Sequence, residues 1–393
     1  MINSVGHDIC CGCEACAQVC PKHCIQMRED REGFLFPQAD IAKCLNCGKC
    51  LKVCPALSIL PKRSPAVCYA YRSKDVELLR QTSSGGFFTL AAERTLVDGG
   101  VVFGAAFNEV NEVVHRCIES SNEIGLLRRS KYVQSRVGNA YMACKTMLEA
   151  GRKVLFCGTP CQIKALNLFL GKKYDDLTTI DFVCHGVPSP GVFRRYLSEL
   201  AERKCHSISE LHDINFRDKE LGFAYAFSFS FYRESPMEFY RESPMENLFL
   251  KGFLNDLFLR RSCHNCRAKG FSSGADYTMC DFWTVNKFLP GFADKSVPGV
   301  NQVFVANDKL RLFAGANLQC ARKLDVTCRG LVQIWAKESV PMTRHRNWFF
   351  SSYLAGDTVE GSIIKGCETT RVERLANRAR GLFCSALRRA GVR

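Results

Sequence analysis

The sequence predicts an α/β fold, α+β overall: a small cysteine-rich N-terminal domain, then an α/β body ending in a mixed C-terminal subdomain. Three observations carry that expectation. The spelling C-x2-C-x2-C-x3-C-P occurs twice between residues 10 and 55. From residue 83 to 190, glycine turns, helical stretches and short apolar runs alternate, as they do when helices wrap a parallel sheet. Past residue 190 the alternation gives way to aromatic-rich segments of mixed character. At 393 residues the chain is long enough for two or three cores. The expected divisions are 1–57, a linker at 58–66, 67–190, 191–350 and a basic tail at 351–393.

The first element is set by its cysteines. Cys10, Cys13, Cys16 and Cys20 precede Pro21, and Cys44, Cys47, Cys50 and Cys54 precede Pro55. A loop with three thiolates two residues apart can hold three corners of a 4Fe–4S cubane. The fourth cysteine, after the longer gap, serves the other cubane, as in bacterial two-cluster ferredoxins. That rule assigns Cys10, Cys13, Cys16 and Cys54 to one cluster and Cys44, Cys47, Cys50 and Cys20 to the second. Gly12 and Gly48 suit backbone passing close to inorganic sulfur. Structural zinc also uses C-x2-C pairs, but it has no need of this spacing twice over. Cys11 and Cys24 are left over as packing residues, Cys24 near enough to tune a cluster.

Residues 58–66, "SILPKRSPA", read as the linker. "SSGGFFTLAAERTLVDGG" is a glycine turn opening a helix, and "VVFGAAF" a buried strand. "NAYMACKTMLEAG" is a helix ending at Gly151, followed by the strand "KVLFC". "GTPCQIKALNLFL" runs from loop to helix, and "LTTIDFVCHGVPSP" from strand to loop. Active loops are expected at the carboxyl ends of such strands. Within the aromatic stretch, "FYRESPME" stands twice in succession at 231–246, which reads as a lengthened hairpin loop with no chemistry.

A second set of cysteines sits where loops should be: Cys161, Cys184, Cys263 and Cys266. Together they could close a third four-thiolate site, filled by an iron–sulfur cluster or by zinc.

"SSGGFF", "KYVQS", "GTPCQIKAL", "DFVCHGVPSP", "FRDK", "CHNCRAK" and "ADYTMCDFW" occur in this order. With the cysteine-rich start, they make the chain resemble the beta subunits of coenzyme F420-reducing hydrogenases and dehydrogenases, from about Cys10 to residue 310. The resemblance implies an iron–sulfur flavoprotein, with FAD passing electrons between clusters and a soluble carrier or small substrate. It implies a 4Fe–4S cluster at Cys161, Cys184, Cys263 and Cys266. It also sets the flavin against Ser84, Gly85 and Gly86 and against Lys131, Gln134 and Ser135. Glycine-turn amides at a helix start can cradle a pyrophosphate, and a lysine can neutralise it. His185 is the candidate proton donor to flavin or substrate. Asp276 and Asp281 are candidates for the ribityl hydroxyls. The sequence departs from the family where Cys280 and Thr284 replace glycines in "CDFWT", and where "GVN" replaces "GVS". Bulk there weakens inferences about the substrate, and Cys280 could compete as a ligand of the third site.

A Ser–His–Asp set, a Walker loop and a G-x-G-x-x-G fingerprint are all missing, so a hydrolase or kinase is not expected. The net charge of +15 suits an acidic partner or an anionic membrane face, and no nucleic-acid-reading motif accompanies it. The tail from Gly366 holds seven arginines against two glutamates, with apolar residues on one helical face. "MINSVGHDIC" has no secretory pattern, and no apolar run nears the roughly 20 residues that span a bilayer. The cytoplasm is therefore expected, where 24 cysteines stay reduced, with the inner membrane face as a peripheral site. Two rivals to the enzyme remain: a non-catalytic electron-transfer subunit of a larger complex, and a cluster-based redox sensor.

Overall fold

The computed structural model describes residues 2–62, 65, 67–204, 207–219, 226–231, 238–243, 246–293, 299–306, 321–327 and 330–368. At the N-terminus, β1 (Ile25–Glu29) and β2 (Leu35–Ala39) pair as an antiparallel hairpin. Its turn is shaped by the Asp30 carboxylate, which accepts from the amides of Glu32 and Phe34 at 3.0 and 2.9 Å. Ile2, Ile25, Phe34 and Phe36 form a small core with Cys10, Cys16, Cys20 and Cys24.

The body is built on one eight-stranded sheet. Its strands are β3 (Val67–Tyr71), β4 (Val101–Phe107), β5 (Val113–Ile118), β6 (Val154–Cys157) and β7 (Leu177–Phe182). After β8 (Leu211–Asn215), β9 (Phe227–Phe231) and β10 (Glu238–Glu242), which form a separate antiparallel sheet, come β11 (Tyr277–Asp281), β12 (Asn301–Val305) and β13 (Ala321–Leu324). The large sheet runs β13-β3-β12-β11-β7-β6-β4-β5. Its centre, β11-β7-β6-β4, is parallel, and both flanks are antiparallel.

β4 and β6 are apolar without a break because helices cover both faces. Alternate residues point to opposite sides. Val101, Phe103, Val154 and Phe156 meet the helices Ala140–Glu149 and Pro160–Leu170, whereas Val102, Ala106 and Leu155 meet the helix Phe87–Val97. The helix Pro160–Leu170 starts with a Thr159–Gln162 capping box and stops at Gly171, which fixes Cys161 in its first turn.

Three expectations need correction. The chain crosses the division at 190/191 and returns, because β11 supplies the parallel neighbour of β7. The octapeptide repeat is not merely loop. Phe231 ends β9, and Phe239–Glu242 of the second copy lie in β10, paired with β9. The tail does not start at 351. Helices Arg344–Leu354 and Val359–Gly366 join the core through Phe349, Phe350, Val359 and Ile363, all buried with Phe249, Leu257 and Phe258. The basic amphipathic segment expected beyond them lies outside the described residues.

The N-terminal hairpin and cysteine loops dock on this body through polar contacts. Glu14 accepts from the Val137 amide at 2.7 Å, and Gln18 accepts from the amides of Tyr141 and Met142, at the start of the helix Ala140–Glu149. Ser58, in the expected linker, offers its carbonyl to the fully buried Lys164 at 2.7 Å. Among the described residues no helix is long and apolar enough to cross a membrane.

Candidate functional site

The thiols of the N-terminal region fall into two groups in space, as the interleaved rule expects. Cys10, Cys13, Cys16 and Cys54 are buried. Burial pushes the Cys16 thiol up, and the proximity of Cys10 and Cys54 pushes it further. Cys20, Cys44, Cys47 and Cys50 line a separate pocket, with Cys24 beside them. Cys24 Sγ is 3.4 Å from Cys20 Sγ, so this spare thiol touches an expected ligand. Gly12 has φ +63, and a Cβ there would meet the Arg260 guanidinium at 2.7 Å. The glycine is required by a neighbouring arginine, which the cysteine spacing alone could not reveal.

Cys161, Cys184, Cys263 and Cys266 come from four separated places and border a single cavity. Each is delivered by a distinct device: Cys161 by the capped helix start, Cys184 by the loop after β7, and the C-x2-C pair by the short helical turn Arg261–Asn265. Burial and mutual repulsion push these thiols up, Cys263 to about 12. Such a set carries thiolate charge only when a cation compensates it. The four border a volume instead of converging on a point: among the described residues no three His, Cys, Asp or Glu side chains are gathered to hold a single metal ion. Cys11, read as spare, lines the same cavity. Its thiol lies within hydrogen-bonding reach of both Cys13 and Cys161.

Against this cavity stands a larger one of about 810 Å³. It opens at the carboxyl ends of β6, β7 and β11, where Cys157, Val183 and Cys280 line it. Cys184 and His185 line both cavities and so form their common wall. Ser84, Gly86, Lys131, Ser135 and Asp281 all reach the larger cavity. Gly85 lies just behind it, its carbonyl accepting from the Ser73 amide at 2.9 Å.

The wall is electrostatically ordered. Burial lowers the Lys131 ammonium to about 7, while it donates to the carbonyls of Arg128 and Leu126 at 2.6 and 3.1 Å. Burial also lowers His115 to about 4, which leaves a neutral imidazole bonded to Ser135 Oγ and to the Cys157 carbonyl, each at 3.1 Å. His185 Nε2 lies 2.5 Å from Asp256 Oδ1, and its ring is boxed edge-on by Phe253 and Trp335. Arg217 of the "FRDK" stretch donates to Asp281 at 2.6 Å and lies over Trp283.

Two candidates are held elsewhere. Gln134 faces the cysteine loop, donating to the Cys11 carbonyl at 2.9 Å and accepting from Arg260. Asp276 braces the sheet, accepting from the amide and hydroxyl of Thr179. Cys280 borders the larger cavity between Gln302 and Gln333 and does not line the four-thiol one, which removes it as a competing ligand. The "GVN" departure has a use: Asn301 Oδ1 accepts from the Phe87 amide at 3.0 Å and so caps the glycine-turn helix. Cys11, Arg260, His115 and Asp256 carried no motif by which their place could be read.

A thiol-rich, two-cluster ferredoxin-type domain docked on an α/β body with a mixed sheet defines an iron–sulfur protein with an electron-transfer role. Residues 151–319 match the family formed by the C terminus of the coenzyme F420 hydrogenase/dehydrogenase beta subunit, and residues 9–57 match the 4Fe-4S dicluster domain; the chain carries both domains. A search of curated proteins finds no match. Among solved structures, a chain of the F420-reducing NiFe hydrogenase complex from Methanosarcina barkeri is similar at 15% identity and a TM-score of 0.41, over 77% of this chain and 90% of that chain.

Proposed function

We propose that this chain is an iron–sulfur flavoprotein oxidoreductase. It relays electrons between its ferredoxin-type clusters and FAD, and between FAD and a soluble carrier or small-molecule substrate. The observation that carries this reading is the wall formed by Cys184 and His185, shared by the four-thiol cavity and the 810 Å³ one. Cubane clusters supply one-electron steps, and a flavin couples them to two-electron chemistry.

The residues fit these groups. Cys161, Cys184, Cys263 and Cys266 would hold a third cluster, since four separated thiols around one volume suit a multi-iron cubane. The larger cavity lies within the roughly 300–1,000 Å³ of cofactor pockets. Ser84, Gly86, Lys131 and Ser135 would bind the diphosphate, with Arg128 and Arg129 lining the same cavity. Asp281, fixed by Arg217, would orient a hydroxyl-bearing chain. Asp256 occupies Nε2 of His185, which leaves Nδ1 as the atom to exchange a proton. Phe253 and Trp335 exclude water from that ring.

Iron, sulfide, zinc and released flavin measured on one oxygen-free preparation test the reading. About twelve irons and one FAD per chain support it. About eight irons, with zinc and no flavin, remove the flavin site and the third cluster.

One observation favours a second reading, an electron-transfer subunit without its own substrate. Cys47 is exposed and flanked by Ile41 and Leu45, 66% and 61% exposed, a surface suited to a redox partner. In that case gentle purification yields a stable complex, and the isolated chain turns nothing over.

A further inference from the structure

Arg260 has no exposed surface, yet among the described residues its charge has no carboxylate to answer it. Its Nε donates to the Cys10 carbonyl at 2.7 Å, Nη2 to the Leu35 carbonyl at 2.8 Å, and Nη1 to Gln134 Oε1 at 3.1 Å. The guanidinium lies over the rings of Phe36 and Phe34, with centroids at 4.2 and 5.2 Å. Every one of these partners is neutral. The adjacent Arg261 is different, for it is half exposed and paired with Glu32 and Asp8. A fully desolvated cation with neutral partners is strongly unfavourable unless negative charge lies close by.

Among the described residues, that negative charge can come only from the thiols. Arg260 Nη2 is 3.8 Å from Cys10 Sγ, in the first thiol set. The same side chain lines the cavity bordered by Cys161, Cys184, Cys263 and Cys266, and its charge acts on Cys161 and Cys263. Cys11, reaching Cys13 on one side and Cys161 on the other, sets the two thiol sets one side chain apart. Arg260 stands in that partition.

We propose that Arg260 is the shared counter-charge of the first and third clusters and holds both reduction potentials up together. This rests on the iron–sulfur reading of both thiol sets. The physics is direct. Reduction adds an electron to a cluster already anionic through its four thiolates, and a fixed cation in a low-dielectric wall stabilises the reduced form more than the oxidised one. Because one guanidinium serves both clusters, their potentials move in the same direction when it is changed. Arg260 is a positioning and tuning residue; it ligates no iron.

Redox titration followed by EPR tests this on full-length, cluster-loaded protein purified without oxygen. The set is wild type, Arg260→Gln, Arg260→Lys and Gln134→Glu, with iron counted in each. In Arg260→Gln both midpoint potentials shift to more negative values at wild-type iron content, and Arg260→Lys restores part of the shift. Gln134→Glu sets a carboxylate against Nη1 while keeping the arginine, and it too moves both potentials down. If Arg260→Gln fails to assemble, Gln134→Glu and Arg260→Lys carry the test. Three cluster signals in wild type, with potentials unmoved in the variants or with the first cluster alone moved, overturn the sharing by itself. Two signals and no third overturn the reading of the four-thiol set, and the sharing with it.

Discussion

Glu32 in the N-terminal hairpin is gripped by both terminal nitrogens of Arg346, 314 residues further along the chain, with Nη1 at 3.1 Å from Oε1. Arg346 is 1% exposed, and Arg261 adds a third donor at 2.9 Å. This pair ties the cluster-bearing segment to the C-terminal helices.

Removing one partner of a buried, hydrogen-bonded pair costs about 3–5 kcal/mol, because the other charge is left unanswered. Arg346→Met is therefore expected to destabilise the protein by that order, measured by urea unfolding of the cluster-loaded form, and a double change with Glu32→Gln should recover part of it. The pH dependence has a definite sign. Burial pushes the Glu32 carboxyl up, but the bonds from Arg346 and Arg261 outweigh it and hold it below the ordinary value. The contribution is then fully present above the ordinary glutamate range and is lost as pH falls through the lower folded-state value. An unfolding midpoint equally acid-sensitive in Glu32→Gln would contradict this.

The two kinds of buried thiol around the third cavity should separate in an iron assay. Cys266→Ala is expected to remove about four of the irons, leaving the other two clusters in place. Cys11→Ala, at the same cavity, should leave the iron count unchanged, since the four remaining thiols complete the set. A loss of four irons in Cys11→Ala would make Cys11 a ligand and displace one of the four.

Features set by short-range spacing are legible in the sequence. The doubled cysteine run, the strand "VVFGAAF" and the helix after "GTPCQ" need only neighbours along the chain, and they stand in the structure at Val101–Phe107 and Pro160–Leu170. Features set by long-range meeting are not. Nothing local marks that β11 pairs with β7, so a division at 190/191 looked natural. Gln134 and Asp276 have the polarity of cofactor ligands, and only the fold reveals that one steadies the Cys11 loop and the other a strand edge. Arg260 has no motif at all. Its meaning lies in what surrounds it after folding.

Lys131 should report the arrival of an anion. Burial leaves its ammonium titrating at about 7, so at neutral pH roughly half the molecules carry the charge. A diphosphate placed against it favours the protonated form, and binding therefore takes up protons near pH 7. Calorimetry of FAD binding to flavin-free protein, in buffers of different ionisation enthalpy, should show that uptake. Affinity should weaken as pH rises through 7, and Lys131→Met should abolish both effects. Binding with no proton linkage would move the diphosphate away from Lys131.

The glycine turn offers the sharpest steric test. A Cβ on Gly85 would lie 2.3 Å from the Tyr71 carbonyl oxygen and 2.6 Å from the Asn301 nitrogen. Both are backbone atoms of adjacent strands, β3 and β12, which cannot yield without breaking their ladder. Gly85→Ala must therefore push the turn outward, at a cost of about 1–3 kcal/mol for overpacking. The displacement carries Ser84 and Gly86 with it and disturbs the Asn301 cap on Phe87. Flavin content should fall sharply while iron stays at the wild-type level, because no thiol set touches this turn. Gly86→Ala meets no backbone: its nearest neighbour would be the Ser73 side chain at 3.5 Å, though φ +89 adds strain. It should lose less flavin than Gly85→Ala. Equal flavin in Gly85→Ala and wild type would show that the cofactor does not use this turn.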